Sequence, residues 1–145
     1  MTRQVVVTGM AGLSPIGLDW PMVFESLKAH RSAVQIMPDW KEIDGLRTHL
    51  AAPIEDFEVP KHYSRKSIRA MGRVSLLATR ATELALEDAG LLGTSHVTDG
   101  RMGVAYGSGT GSPTAHQVFF ENLHVHKRLK GISSTTYIKM MSHTC

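Results

Sequence analysis

The stretch "SRKSIRAMGRVSLLATRATELALEDAG", residues 64–90, constrains the fold more than any other, because small and apolar side chains occupy nearly the whole circumference of one helix. The pattern predicts a single helix over residues 64–89, with Ser64 as N-cap and Gly90 in the left-handed position just past its end. Val74, Leu77, Ala78, Ala81, Leu84 and Ala85 recur at helical spacing, and Thr79, Thr82 and Ala89 keep the remaining sides small rather than charged. Neighbours can approach such a helix closely from several directions, which makes it an interior layer. Its first turns differ: Arg65, Lys66, Arg69 and Arg73 make that end strongly basic. Cations near a helix N-terminus oppose its dipole by about 0.3–1 kcal/mol each. An acidic partner explains that arrangement, and a solvated face is the plainer reading.

Around this helix the chain alternates strand and helix signals. Residues 4–8 form a β-branched run without alternation, as in a strand covered on both faces, and Gly9 ends it. Asp19 then caps a helix with Pro21 in its first turn and Trp20, Val23, Phe24 and Leu27 on one face. Residues 31–63, with Pro38, Pro53 and Pro60, read as a loop-rich insertion holding a short strand near residues 50–52. A second strand is expected over residues 101–106, followed by "GSGTGS". Ser112 and Pro113 open a further helix that carries Val118, Phe119, Leu123, Val125 and Leu129 and ends near Gly131. Lys127, Arg128 and Lys130 fall in its last turn, where they suit the dipole. "STTYIKMMSHTC" begins one more helix. The order implies an α/β fold.

Composition excludes several classes. With 145 residues, 42% hydrophobic and 20% charged, the chain has the make-up of one soluble domain rather than a disordered segment. Apolar runs are far shorter than the roughly 18–20 residues a membrane span requires, and "MTRQVVVTG" lacks the features of a signal peptide, which points to the cytoplasm and to no membrane insertion. The lone Cys145 cannot form an internal disulfide. A net charge of +3 with dispersed bases and 6% aromatics argues against nucleic acid as a partner. His124, His126 and His143 lack the Cys, Asp or Glu company of a metal site, so no metal is expected.

The opening "VVVTGMAGLSPIG" resembles a nucleotide-binding turn only superficially. Gly9, Gly12 and Gly17 are spaced too widely for a dinucleotide fingerprint, and Pro15 interrupts the turn. The Tyr-x-x-x-Lys pair of a short-chain dehydrogenase is absent as well: Lys66 follows Tyr63 one position early, and Lys139 follows Tyr137 too closely. A nucleotide-dependent reductase is the weakest of three readings.

"VVVTGMAGLSPIG", "SRKSIRAMGR", "ALEDAGLL" and "RMGVAYGSGTGS" occur in the order and approximate spacing of the β-ketoacyl-ACP synthases, and the sequence resembles their elongating branch across nearly all 145 residues. The resemblance implies a thiolase-like α/β/α/β/α stack in which residues 1–145 are the N-terminal part of the ketosynthase domain. It also implies a decarboxylative Claisen condensation: a cysteine thiolate accepts an acyl group from acyl-ACP, and two histidines assist decarboxylation of malonyl-ACP. In that family the nucleophile follows the next strand and the histidines come later still, so no catalytic residue is assigned in this chain. Cys145 falls before the nucleophile's place.

The residues that do match are supporting ones. The resemblance puts Thr110 in the acyl pocket near the dimer partner, where elongating synthases hold a bulkier aliphatic side chain, and so implies altered chain-length gating. It gives Lys66 and Arg69 contacts to the acidic acyl carrier protein, whereas Ala70 replaces a frequent base. A homodimer without cofactor is implied. Gly107 and Gly109 are expected to permit close backbone approach at the strand end. Two strands leave sheet edges open, so these 145 residues alone are expected to lack condensing activity and to associate. A noncatalytic ketosynthase-like subunit that binds carrier protein or sets chain length is the alternative to the enzyme.

Overall fold

The computed structural model describes residues 4–142; Cys145 and His143 lie outside the described residues. The chain divides into two compact units, Ala11–Glu58 and the remainder on either side of it.

Within Ala11–Glu58, helix α1 (Trp20–Lys28) starts where the sequence places it. Asp19 has extended backbone angles and its carboxylate accepts from Met22 N at 2.8 Å, while Pro21 occupies the first turn. Ser26, buried on α1, donates to the Ile16 carbonyl at 2.9 Å and ties the preceding turn to the helix. The short strand near residue 50 is real: β1 (Gln35–Ile36) and β2 (Leu50–Ala51) pair antiparallel, with Gln35 opposite Ala51 and Ile36 opposite Leu50. Met37 N extends this ladder to the His49 carbonyl at 2.7 Å.

The other unit is built on helices. The predicted helix over 64–89 is in fact two, α2 (Arg65–Ile68) and α3 (Arg73–Asp88). Gly72 breaks it, for a reason that lies forty residues away: a Cβ there would run into the Ser112 side chain, with Ser112 Cβ at 2.7 Å. Ser112 itself is 3% exposed. Gly72 takes extended angles instead and acts as the N-cap of α3. At the other end the expectation holds. Gly90 has φ +67, its N–H bonds the Glu87 carbonyl at 2.9 Å, and Leu91 N bonds the Leu86 carbonyl at 2.8 Å, so both orphan carbonyls are satisfied.

Along α3, Thr79 and Thr82 turn their hydroxyls back onto the Ser75 and Ala78 carbonyls at 2.8 and 2.9 Å, which hides polarity and leaves the methyl groups outward. Of its sixteen residues only Arg73, Thr82, Glu87 and Asp88 are exposed, so neighbours do cover the helix on several sides. One of them is the N-terminal segment. Gly9 passes so close to the last turn that a Cβ would lie 2.5 Å from the Ala85 carbonyl oxygen, and Met10 N donates to Asp88 Oδ2 at 2.9 Å.

The strands expected over residues 4–8 and 101–106 are not formed: neither segment is paired into a ladder, and the described sheet consists of β1 and β2. Val5, Val7 and Val104 are 97%, 81% and 84% exposed, an environment opposite to that of a covered strand. A strand is a property of two edges, and no described segment presents the second edge to either run. The core is correspondingly thin. Among the described residues, Ala78 alone of the apolar side chains is buried, at 4% exposed.

The remaining helices are α4 (Pro113–Phe120) and α5 (Ser134–Met140), which pack on one another. The helix predicted to reach Gly131 stops at Phe120 and widens into a π-turn over Glu121–Val125, followed by Lys127 at φ +51. The basic group Lys127, Arg128 and Lys130 therefore follows the helix rather than capping its last turn. Ser112 precedes α4 without a side-chain cap bond, whereas Ser133 starts α5 with a reciprocal capping box to Thr136.

Candidate functional site

Helix α2 is short because its start and stop signals are close together. Ser64 Oγ accepts from Ser67 N at 3.1 Å at one end, and Met71 N closes a turn onto the Ile68 carbonyl at 2.9 Å before Gly72 at the other. Arg65, Lys66 and Arg69 all project from it exposed, and among the described residues no carboxylate pairs with any of them. Three uncompensated cations on little more than one turn form a local positive field that a negatively charged surface would relieve. Lys66 and Arg69 are three residues apart, hence on one side of the turn.

Immediately before α2 lies a cluster the sequence reading did not single out. Glu83, on α3 and 17% exposed at its side chain, accepts from three donors: Arg80 at 2.6 Å, Tyr63 at 2.9 Å and His62 at 2.6 Å. The His62 and Tyr63 rings meet edge to face, with centroids 4.7 Å apart. The spacing of Arg80 and Glu83 on one helix was a visible signal; the arrival of His62 and Tyr63 from twenty residues upstream was not. Burial pushes the Glu83 carboxyl up, but the bonds from Arg80, Tyr63 and His62 outweigh it and hold it below the ordinary 4.5. For Tyr63, burial and the adjoining Glu83 carboxylate raise the phenol from 10.0 to about 12.

These shifts have opposite consequences at the two ends of the pH scale. Glu83 contributes stability that is complete above about pH 4.5 and is lost as pH falls through its lower folded value. Tyr63 contributes stability present below pH 10 and lost as pH rises towards about 12. The difference between the tyrosinate absorbance titrations of the wild type and Tyr63→Phe is expected to show a midpoint near pH 12. A midpoint at the ordinary value would show that no Tyr63–Glu83 bond exists in solution.

Beside this cluster runs a largely apolar cleft of about 400 Å³, lined by Tyr63, Ala78, Thr82, Leu86, Val104 and Tyr106. A second, of about 290 Å³, lies where the starts of α3 and α4 face α5, with Arg73, Ser112, Thr114 and Lys139 on its walls. Thr110 is elsewhere. It stands exposed in the loop before α4, its N–H 3.4 Å from Ser108 Oγ, and no hydrogen bond joins it to Lys66 or Arg69. The glycine reading for this loop needs correction: Cβ atoms added at Gly107 or Gly109 would meet nothing within 4 Å. Close approach belongs to Gly111, whose N–H bonds Ser108 Oγ at 3.0 Å. The imidazoles of this unit are engaged structurally, His124 stacking on Phe120 at 5.8 Å and His126 Nε2 lying 3.9 Å from Glu121 Oε1.

Comparison with known proteins adds what geometry alone does not. The sequence model of the family described as "Beta-ketoacyl synthase, N-terminal domain" matches residues 2–144. The chain is 32% identical over 140 residues to the 3-oxoacyl-[acyl-carrier-protein] synthase 1 of Haemophilus influenzae, covering 97% of this chain and 34% of that protein. It is 32% identical over 122 residues to the 3-oxoacyl-[acyl-carrier-protein] synthase 2 of Staphylococcus aureus, covering 83% and 29%. Among solved structures, a beta-ketoacyl synthase from Burkholderia phymatum superposes with a TM-score of 0.86 at 46% identity, over 96% of this chain and 34% of that one. The ishigamide ketosynthase/chain length factor follows with a TM-score of 0.69 at 22% identity, a likeness of fold. The chain spans about a third of the length of these relatives. The fold they share with it is α/β.

Proposed function

Since the chain belongs to the β-ketoacyl synthase family, as its N-terminal domain, we propose that the protein containing it is a 3-oxoacyl-ACP synthase of fatty-acid or polyketide synthesis. In this reading it catalyses decarboxylative Claisen condensation of an acyl thioester with malonyl-ACP, as a cytoplasmic homodimer with the layered α/β/α/β/α architecture. The observation that carries it is the agreement along nearly the whole chain with a synthase at 46% identity and a TM-score of 0.86.

Each supporting residue has a part in that reaction. Lys66 and Arg69 bind the acidic acyl carrier protein, their uncompensated charge supplying attraction and orientation during encounter. Thr110 lines the acyl pocket, and as a smaller polar side chain it changes the chain length accepted. Nucleophile and histidines come from outside these residues, so the chain's own contribution is docking and substrate fit.

The reading is tested on the full-length protein with acyl-ACP and malonyl-ACP. Release of CO2 coupled to 3-oxoacyl-ACP formation, abolished by alkylation of one cysteine, is the expected result. Carrier binding without condensation would replace the enzyme by the noncatalytic subunit.

A further inference from the structure

Helix α2 poses a mechanical problem. Four residues are far too few to hold a helix by backbone bonds alone, and α2 buries none of its residues. Something must fix its direction if Lys66 and Arg69 are to meet a partner in a defined geometry. Its C-terminal end is held within a turn, by Met71 N on the Ile68 carbonyl at 2.9 Å and by Gly72 packed against Ser112. The N-terminal end needs a restraint of its own, and His62 and Tyr63, the two residues before the Ser64 cap, are there bound to the same Glu83 carboxylate.

Glu83 suits that task. It sits on α3, the most covered helix of the unit, and Arg80 holds its carboxylate in place from one turn earlier at 2.6 Å. Two successive residues bonded to a single carboxylate through opposite oxygens, His62 to Oε1 and Tyr63 to Oε2, define an orientation rather than a mere tether. Tyr63 N closes a turn onto the Pro60 carbonyl at 3.0 Å and stiffens the approach. Charge-assisted bonds of this kind are among the stronger ones available at a half-buried site.

We infer that Glu83 is a positioning residue for the carrier-docking helix: through His62 and Tyr63 it aims Lys66 and Arg69 at the carrier protein. The inference rests on the proposed role of α2 in carrier binding. Glu83 acts through its bonds to His62 and Tyr63, so its removal is expected to change encounter geometry and to leave the chemistry alone.

The test uses the full-length protein and compares an acyl carrier protein substrate with a small-molecule acyl thioester. Tyr63→Phe and Glu83→Ala are each expected to raise KM for the carrier substrate about threefold to tenfold, with kcat and the KM for the small thioester within twofold of wild type. Glu83→Gln, which keeps an acceptor for Tyr63, should fall between wild type and Glu83→Ala. The Tyr63→Phe, Glu83→Ala double variant should be no worse than Glu83→Ala. An unchanged carrier KM in these variants, with Lys66→Glu, Arg69→Glu raising it, would overturn the positioning role alone. An equal loss with both substrates would overturn it too, as general destabilisation. If Lys66→Glu, Arg69→Glu leaves the carrier KM unaltered, the docking role of α2 falls first and the inference with it.

Discussion

Gly111→Ala is expected to destabilise the protein by roughly 3 kcal/mol, adding about 1–2 kcal/mol for a left-handed residue with a Cβ to about 1–3 kcal/mol for overpacking. The two terms are separate in the structure. Gly111 has φ +68, and its Cβ would lie 2.6 Å from the Met140 carbonyl oxygen. That oxygen ends α5, a backbone atom that cannot rotate aside as a side chain could. Relief requires α5 and the loop to part, which displaces Thr110 as well. Gly109→Ala is the matched control two residues away, with open space around it and no left-handed φ. It should change stability by no more than about 1 kcal/mol, in either direction. Denaturant or thermal unfolding of the two variants decides the matter, and equal effects would refute the close approach of α5 to this loop.

Reversing both Lys66 and Arg69 to glutamate is expected to raise KM for an acyl carrier protein substrate roughly tenfold to a hundredfold, since each tenfold is about 1.4 kcal/mol and like charges facing one another across an interface cost as much. Both side chains are exposed and without a carboxylate partner among the described residues, so reversal disrupts no internal ion pair and stability should hardly change. The effect should shrink as salt is added, because these charges lie at the protein surface. Turnover of a small thioester should not move. A KM shift that persists undiminished at high salt, or one shared by the small thioester, would contradict charge-guided docking on α2.

Features written into neighbouring residues were legible in the sequence. Asp19 and Ser64 cap the helices they precede, and Gly90 ends α3 in the left-handed conformation, because each signal and its target lie within a turn or two. Features that depend on distant segments were not. The break at Gly72 depends on Ser112, and Glu83 depends on His62 and Tyr63; a helical pattern carries no word of either. Gly107 and Gly109 looked like the tight positions of the loop, but Gly111 is, as Gly9 and Gly72 are elsewhere, since what matters is which segment arrives opposite. The two apolar runs at residues 4–8 and 101–106 show the same limit. Their composition is that of covered strands, while their pairing is a property of whatever edge meets them.

That last point is the centre of the account: we propose that in the full-length protein both runs pair into the sheets of a layered α/β fold, with α3 held between layers. Amide hydrogen exchange on the full-length protein tests it most directly. The amides of residues 5–7 and 102–106 should exchange as slowly as those in the middle of α3, although they are unpaired among the residues described. Exchange of both runs at unprotected rates, while α3 stays protected, would show that they are surface segments and would contradict the condensing-enzyme fold.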